Sequence, residues 1–361
     1  MKRLEIVQIG LGHVGRKVAQ IVLEERKRWR DEHSLELNYR AVSDTSGALV
    51  GEELLPQAIR LKEAGGKLST LGVEPLEGVL ASEPAPGTTR VVVDVAVHGG
   101  TYDLDLLGVQ NGSYLVLSNK GPLSGSTEEY ERLTRMLPDR LWHEATVGAG
   151  MPIISTLDAL IASGDEILEI QTSPSGTLGF VMSAVESGRP FSEAVKEAVA
   201  LAYAEPDPRD DLSGLDVARK AIILARKMGR RIEPGEIPYR SLVPTGLEDV
   251  SLEEFMERLP EHDEAFAERL LAVEEHHMLR YLARIPKRGP VKVGLVDEPV
   301  ESPFGPINGP ENVFDFRTRR YSDVTLTIRG PGAGPERTAS GVVFDLLDIA
   351  NKAVEDDGRD D

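Results

Sequence analysis

Cysteine is absent from the 361-residue sequence, which excludes disulfide bonds, thiol nucleophiles and thiolate metal sites. Long hydrophobic runs are absent too, because no stretch approaches the roughly 18 consecutive apolar residues that indicate a membrane span. The chain also lacks the basic and then apolar pattern of a signal segment at its start. We therefore expect a cytoplasmic protein that does not bind membranes.

Positive charge is scarce as well. The 41 lysines and arginines are outnumbered by 60 aspartates and glutamates, which gives a formal net charge of −19. Because binding to phosphate groups needs a basic surface, this balance argues against nucleic acids and anionic membranes as partners. The hydrophobic fraction of 40% and a length sufficient for two domains predict a globular protein.

A glycine-rich turn follows the first predicted strand. Residues 4–9 are mainly apolar, and the next six residues have the spacing G-x-G-x-x-G before a helical pattern. Glycines at this spacing allow a tight turn and the close approach of a pyrophosphate to the helix N-terminus. A turn alone also needs glycines, so the flanking strand and helix carry the prediction of a Rossmann domain that binds NAD or NADP. The predicted cofactor contacts here are Gly10, Leu11, Gly12, His13, Val14 and Gly15.

An acidic residue ends the second predicted strand, residues 37–44. An acidic residue at the position of Asp44 typically binds the ribose hydroxyls and favours NAD. The alternative interpretation is a simple turn residue before Ser46. No arginine directly follows the strand to hold a 2′-phosphate, which also favours NAD. The apolar run 90–97 predicts a strand buried on both faces of a parallel sheet, so the fold class is α/β.

The segment 202–220 carries the densest charge pattern, with the sequence AYAEPDPRDDLSGLDVARK. Its prolines disfavour a helix in the first half. Ser213 is predicted to cap the following helix, with Asp216 three residues on approximating a capping box. That helix should bury Leu215 in its apolar stripe and stop at Gly229.

Asp216 and Lys220 lie four residues apart and therefore point the same way on this helix. One interpretation is an exposed ion pair, which contributes only about 0.3–0.5 kcal/mol. The other is an acid–base lysine oriented by carboxylates at the edge of a cleft. The spacing alone does not choose between them.

The segment resembles the signature of homoserine dehydrogenases, G-Y-[AT]-E-P-D-P-x-x-D-L-x-G-x-D-x-x-x-K. Ala202 replaces the leading glycine, and every other specified position matches. The resemblance implies that Lys220 is the proton donor. It also implies that Glu205 and Asp216 bind the substrate ammonium group, that Asp211 holds Lys220 in place, and that Tyr203 lies among the substrate contacts.

Four further segments resemble the same family. The pair Asn119-Lys120 follows a predicted strand at 113–117. The resemblance implies that Lys120 is a second catalytic lysine, beside the nicotinamide and the substrate. It also implies a cofactor contact at Ala96, a position near which the family often has Thr or Ser. The run EATVGAGMP implies a monovalent cation, sodium or potassium, held by Glu144, Val147, Ala149 and Met151. The G-T-L loop at Gly176 and Thr177 implies substrate contacts, although Thr177 also suits a helix N-cap. The run beginning at Arg329 implies a cofactor contact at Gly334 and a substrate contact at Thr338.

The resemblance implies a Rossmann domain at 1–150, a substrate-binding and dimerisation domain at 151–310, and a C-terminal segment at 311–361 that returns to the nucleotide-binding domain. It also implies a homodimer and the reversible NAD(P)-dependent reduction of L-aspartate 4-semialdehyde to L-homoserine. No kinase segment or regulatory domain is present in the sequence, so we expect a monofunctional enzyme. The alternatives are another NAD(P)-dependent amino-acid dehydrogenase of related fold and a nucleotide sensor without catalysis.

Overall fold

The computed structural model describes residues 1–97 and 100–356, with side chains as far as residue 352. It divides into two compact units. The first combines Met1–Pro152 with the C-terminal residues from Gly334 onward, and the second comprises Ile153–Ala333.

The first unit contains a six-stranded sheet in the order β3-β2-β1-β4-β5-β6. All neighbouring strands are parallel except β2 and β3, which form an antiparallel pair. Its strands are β1 (Lys2–Ile9), β2 (Leu35–Asp44), β3 (Gly47–Val50), β4 (Thr89–Asp94), β5 (Tyr114–Leu117) and β6 (Leu141–Trp142). Its helices before the second unit are α1 (His13–His33), α2 (Leu55–Glu63), α3 (Leu76–Ala81), α4 (Tyr102–Gln110), α5 (Gly121–Ser124) and α6 (Thr127–Met136).

The apolar run 90–97 is a strand over only part of its length. Its valines at 91, 92 and 93 are fully buried, as expected for a central strand covered on both faces. The strand ends at Asp94 because the N–H of Ala96 turns back to donate to the Asp94 carboxylate. The prediction that the strand reaches residue 97 is therefore wrong.

The second unit is built on a five-stranded antiparallel sheet in the order β11-β10-β7-β8-β9. Its strands are β7 (Ile167–Ser173), β8 (His277–Pro286), β9 (Lys292–Pro299), β10 (Asn312–Thr318) and β11 (Leu326–Gly330). Its helices are α7 (Ile154–Ala162), α8 (Gly176–Glu186), α9 (Phe191–Ala200), α10 (Arg209–Leu212), α11 (Leu215–Lys227), α12 (Leu252–Arg258) and α13 (Asp263–Leu271).

The chain returns to the first unit through α14 (Pro335–Asp356), which packs against α1 and against a short 3-10 helix at Glu144–Thr146. The predicted start of the returning segment, residue 311, is too early. Residues 312–330 form β10 and β11, and β10 pairs with β7 in the middle of the second sheet. The last part of the predicted segment, 357–361, lies outside the described residues.

The structure confirms the α/β fold class and the strand–glycine turn–helix order at the N-terminus. It also corrects the path before α11, where the prolines were expected to exclude a helix. Pro208 instead precedes the one-turn helix α10, a position where a missing N–H costs little. Among the described residues, no helix is both long and apolar enough to cross a membrane.

Candidate functional site

In the glycine turn between β1 and α1, the fold itself requires glycine at two of the three positions. Gly10 has a φ of 99°, a left-handed conformation that favours glycine. A Cβ on Gly15 would lie 2.2 Å from the carbonyl oxygen of Gly10, so only glycine lets α1 pack this close to the turn. The side-chain amide of Gln8 donates hydrogen bonds to the carbonyl oxygens of both glycines and so stabilises the turn.

Gly12 differs from its two neighbours. A Cβ built on it meets nothing within 4 Å, so the fold itself does not require glycine there. It is the N-cap residue of the 21-residue helix α1, it provides no side-chain cap, and the first turn contains no acidic residue. Open space in front of the positive end of a long helix fits a pyrophosphate. The other predicted contacts of the turn are arranged around it, with Leu11 buried, Val14 half-buried and His13 exposed.

Asp44 is held by its own unit. Its Oδ1 accepts hydrogen bonds from the backbone N–H and the hydroxyl of Ser46, at 2.8 and 2.6 Å. Its Oδ2 accepts from the Lys62 ammonium at 2.8 Å and from the Leu68 N–H at 3.2 Å. Burial opposes ionisation, but these donors outweigh it and lower the pKa of Asp44 to about 2.

The four donors fill the acceptor positions of the Asp44 carboxylate. A ribose hydroxyl would have to displace one of them, so the arrangement is at odds with the predicted ribose contact. The preference for NAD that was based on Asp44 loses its support.

Ala96 and Lys120 follow the C-terminal ends of the neighbouring parallel strands β4 and β5, at the edge where ligands of such sheets bind. Lys120 is half-buried and directly precedes α5. Gly334 and Thr338 lie at the start of α14, where the Thr338 hydroxyl donates to the Gly334 carbonyl oxygen at 2.9 Å. This contact uses the hydroxyl proton and leaves the hydroxyl oxygen as an acceptor.

The predicted cation ligands lie in one buried segment of the first unit. Glu144 begins the 3-10 helix, and its N–H donates to the Asp345 carboxylate of α14 at 3.0 Å. Ala149 has a φ of 54°, and its carbonyl oxygen lies against Gly341, where a Cβ would come within 2.6 Å. Val147, Ala149 and Met151 are buried, and backbone carbonyls are ligands that sodium and potassium accept as hard cations.

Lys220 lies on α11 in the second unit, and its side chain is only 9% exposed. Its ammonium donates to the Pro174 carbonyl oxygen at 2.6 Å and pairs with Asp216 at 2.9 Å. The ion pair that the spacing predicts does form, but it is exposed only on its Asp216 side, because the Lys220 ammonium is buried against the Pro174 carbonyl oxygen.

Thr177 and Asp211 form a second cluster in the same unit. The Thr177 hydroxyl lies 2.7 Å from the Tyr203 carbonyl oxygen and 3.0 Å from the Asp211 carboxylate. Asp211 also accepts the Glu205 N–H at 2.8 Å. Burial raises the pKa of Asp211, against the hydrogen bonds from Glu205 and Thr177. Asp211 therefore ties the predicted substrate loop at 176–178 to the segment that carries Glu205.

Two helix starts differ from prediction. Ser175, and not Thr177, caps α8, because the Ser175 hydroxyl accepts the Leu178 N–H. Gly214, and not Ser213, is the N-cap of α11, with a φ of 75° and the Tyr281 hydroxyl 1.9 Å from where a Cβ would lie. Only glycine fits there. The Ser213 hydroxyl accepts the Leu215 N–H at 3.2 Å instead of the Asp216 N–H, so the predicted capping box does not form.

The apolar stripe of α11 is buried except at its first predicted member, since Leu215 is 37% exposed. The predicted stop at Gly229 is confirmed, because α11 ends at Lys227 and Gly229 has a φ of 81°.

Homoserine dehydrogenase is the family whose model matches residues 152–347, more than half of the chain. A second comparison agrees: the homoserine dehydrogenase of Saccharomyces cerevisiae is 32% identical over 365 residues, which covers 97% of this chain and 99% of that protein. The chain belongs to the homoserine dehydrogenase family. This family consists of NAD(P)-dependent oxidoreductases.

Two further similarities place the chain among its homoserine dehydrogenase relatives. The bifunctional aspartokinase/homoserine dehydrogenase 1 of Zea mays is 42% identical over 270 residues, which is 73% of this chain but 29% of the maize protein. The chain thus spans less than a third of that relative's length. A hyperthermophilic archaeal homoserine dehydrogenase solved in complex with NADPH is 27% identical, with a TM-score of 0.74 over 97% of this chain and 98% of that one.

Sequence reasoning missed several residues of the site. Pro174 supplies the carbonyl oxygen that binds Lys220, and Asp94 and Asn119 support the segment around Lys120. Asp94 could have been noticed as the only carboxylate in an apolar run. The described part of the chain holds no group of three or more His, Asp or Glu side chains suited to a metal ion.

Proposed function

We propose that this protein is a homoserine dehydrogenase in activity, catalysing the reversible NAD(P)-dependent interconversion of L-homoserine and L-aspartate 4-semialdehyde. Family membership supports the reaction class. The observation that carries the proposal is the buried Lys220 ammonium, which Pro174 and Asp216 aim in one direction. A general acid has to be within hydrogen-bond reach of the oxygen that it protonates, so a fixed amine suits this role.

In the direction of reduction, the carbonyl carbon of the semialdehyde gains a hydride and its oxygen gains a proton. That hydride is what a nicotinamide cofactor would supply when bound. Lys220 donates the proton to the developing alkoxide, and Lys120 adds a second positive charge to stabilise it. In the reverse direction Lys220 accepts the hydroxyl proton of homoserine.

Substrate orientation is assigned to the second unit. Glu205 and Asp216 provide carboxylates for the substrate ammonium group, and Tyr203, Gly176 and Thr177 complete the substrate contacts. Asp211 acts by holding Thr177 and Glu205. Asp211 is also proposed to hold Lys220 in place without touching it, since the carboxylate that pairs directly with Lys220 is Asp216.

The cofactor is assigned to the first unit, with the pyrophosphate at Gly12 and the N-terminus of α1. The glycine turn fits such a group, since the space beside Gly12 is open and the helix end has no acidic residue. The segment 144–151 is proposed to bind sodium or potassium, which would stabilise the backbone next to α14.

A homodimer located in the cytoplasm completes the proposal. The dimer is proposed from the resemblance to homoserine dehydrogenases, and the second sheet is proposed as the surface that forms it. Light scattering after gel filtration measures the mass, and a monomer at assay concentration would overturn the dimer.

The deciding experiment follows the absorbance of NADH and NADPH at 340 nm with L-homoserine, testing both cofactors with and without added sodium or potassium. Turnover with L-homoserine is expected. Turnover with a different small amino acid alone would indicate a related dehydrogenase. Cofactor binding without turnover of any amino acid would indicate a nucleotide sensor.

A further inference from the structure

The Asp94 carboxylate lies at the centre of a buried hydrogen-bond network at the end of β4. The residue has no exposed surface. Its Oδ1 accepts the Ala96 N–H at 2.9 Å, and its Oδ2 accepts the Thr101 hydroxyl at 2.7 Å and the Asn119 amide at 2.8 Å. One carboxylate therefore joins the end of β4, the residue before α4 and the segment after β5.

Asn119 extends this network to both sides of Lys120. Its Nδ2 also donates to the Thr101 hydroxyl oxygen at 2.9 Å, and its Oδ1 accepts the Gly121 N–H at 2.9 Å. The backbone carbonyl of Asp94 accepts the N–H of Asn119 at 3.2 Å. The residue before Lys120 and the residue after it are thus both held by groups that lead back to Asp94.

A second buried carboxyl group, Asp105 of α4, lies next to Asp94 and has no exposed surface. Burial, followed by the charge of Asp94, raises the pKa of Asp105 well above its usual value. Burial also raises the pKa of Asp94, against the hydrogen bonds from Thr101, Ala96 and Asn119. Those three donors make Asp94 the hydrogen-bond acceptor of the network.

We propose that Asp94 is a positioning residue for Lys120, acting through Asn119 and Thr101 to fix the backbone from which the lysine side chain extends. The inference rests on the role of Lys120 under the proposed function. A lysine has a long and flexible side chain, so its reach is defined only if its backbone is fixed. A displacement of about 1 Å in a catalytic group can lower a rate by about 10²-fold.

A reciprocal exchange tests the network directly. Asp94→Asn places one amide group opposite the Asn119 amide, and Asn119→Asp places two carboxylates opposite each other. The double variant Asp94→Asn/Asn119→Asp restores one donor and one acceptor with the direction reversed. The Thr101 hydroxyl can reverse with them, and the Ala96 and Gly121 N–H groups keep their acceptors.

The readouts are kcat, KM for L-homoserine, the cofactor Kd from nicotinamide fluorescence, and hydrogen exchange of residues 117–125. Each single variant is expected to lower kcat by about 10- to 100-fold, with a smaller change in cofactor Kd, and to speed exchange in that segment. The double variant should recover most of kcat and of the protection. Asp165→Asn is the matched control, since Asp165 is a buried carboxylate that accepts the Thr318 hydroxyl at 2.7 Å in the second unit. It should lower stability without changing kcat or the hydrogen exchange of residues 117–125.

Two outcomes would overturn the inference: folded single variants with parental kcat and exchange, or a double variant no better than Asn119→Asp alone. If Asp94→Asn does not fold, the comparison of the double variant with Asn119→Asp still decides the question. If the unmodified enzyme turns over no homoserine, the proposed function fails, and hydrogen exchange alone then decides whether Asp94 holds the Lys120 segment.

Discussion

The two units present their candidate residues in different ways. In the second unit the side chains are bound to protein groups and to one another, as Lys220 is to Asp216 and Thr177 to Asp211. In the first unit the turn at Gly12 provides backbone and open space, and the segment at Lys120 is fixed through its neighbours. Selective recognition of a small charged substrate needs prearranged charges, whereas a pyrophosphate needs N–H groups without a side chain in the way. Substitutions at Lys220 and Thr177 should therefore change kcat or KM, and substitutions in the glycine turn should change cofactor binding or stability.

The largest effect is expected for Lys220→Ala, which removes the proposed proton donor. We expect kcat to fall by at least about 10²-fold with little change in cofactor affinity. Steady-state kinetics and a fluorescence titration with NADPH measure the two quantities. Lys227→Ala is the control, since Lys227 lies on the same helix and pairs with Asp158, and it should leave kcat unchanged. Parental turnover in Lys220→Ala would refute the assignment.

Gly12→Ala and Gly15→Ala separate cofactor binding from packing within one turn. The methyl group of Gly12→Ala meets no protein atom within 4 Å, so Tm should stay constant while cofactor Kd rises by about tenfold through the lost approach of the pyrophosphate. Gly15→Ala forces a methyl group against the Gly10 carbonyl and should cost about 1–3 kcal/mol of stability. Thermal unfolding with and without NADPH distinguishes them. Equal cofactor affinity in Gly12→Ala and the parent would remove this turn from the cofactor site.

Thr177→Val tests whether the hydrogen-bonded cluster of Thr177, Asp211 and Glu205 is needed for the proposed substrate binding. The substitution removes the hydroxyl whose single proton is shared between the Tyr203 carbonyl oxygen and the Asp211 carboxylate, at a cost of about 1–3 kcal/mol. We expect KM for L-homoserine to rise by about tenfold, with a smaller change in cofactor Kd. Ser187→Ala at the end of the same helix is the control. A changed cofactor Kd with constant KM would contradict the division of roles.

The smallest effect on function is expected for Asp44→Asn. This variant tests how the ionised Asp44 carboxylate contributes to the unfolding free energy as the pH changes. The folded pKa of Asp44, about 2, lies below the usual aspartate value of 3.8. Ionised Asp44 therefore stabilises the fold above pH ~4, and this stability is lost as the pH falls towards 2. The difference in unfolding free energy should be about 2 kcal/mol at pH 7 and should diminish in acid. Urea unfolding at several pH values measures it.

Cofactor affinity provides the second readout for Asp44→Asn. Because the four contacts of Asp44 are internal, the Kd for NAD should change little when measured under conditions where the variant is folded. A fall in NAD affinity by tenfold or more would instead restore Asp44 as a ribose contact.

The sequence by itself determined the glycine turn, the α/β class and the importance of the segment 202–220. Each of these follows from local chemistry, since glycine spacing, apolar runs and residue types are visible along the chain. The resemblance to homoserine dehydrogenases also pointed to Lys120 and Lys220 before any geometry was known.

Only the tertiary structure decided what those residues contact. The spacing of Asp216 and Lys220 fits an exposed pair equally well, and the burial of Lys220 depends on Pro174, 46 positions away in the sequence. The Asp44 carboxylate is occupied because Lys62 and Leu68 fold back onto it, and Gly214 replaces Ser213 as a cap because Tyr281 of β8 lies against it. Contacts between residues distant in sequence arise from packing, and no local pattern records them.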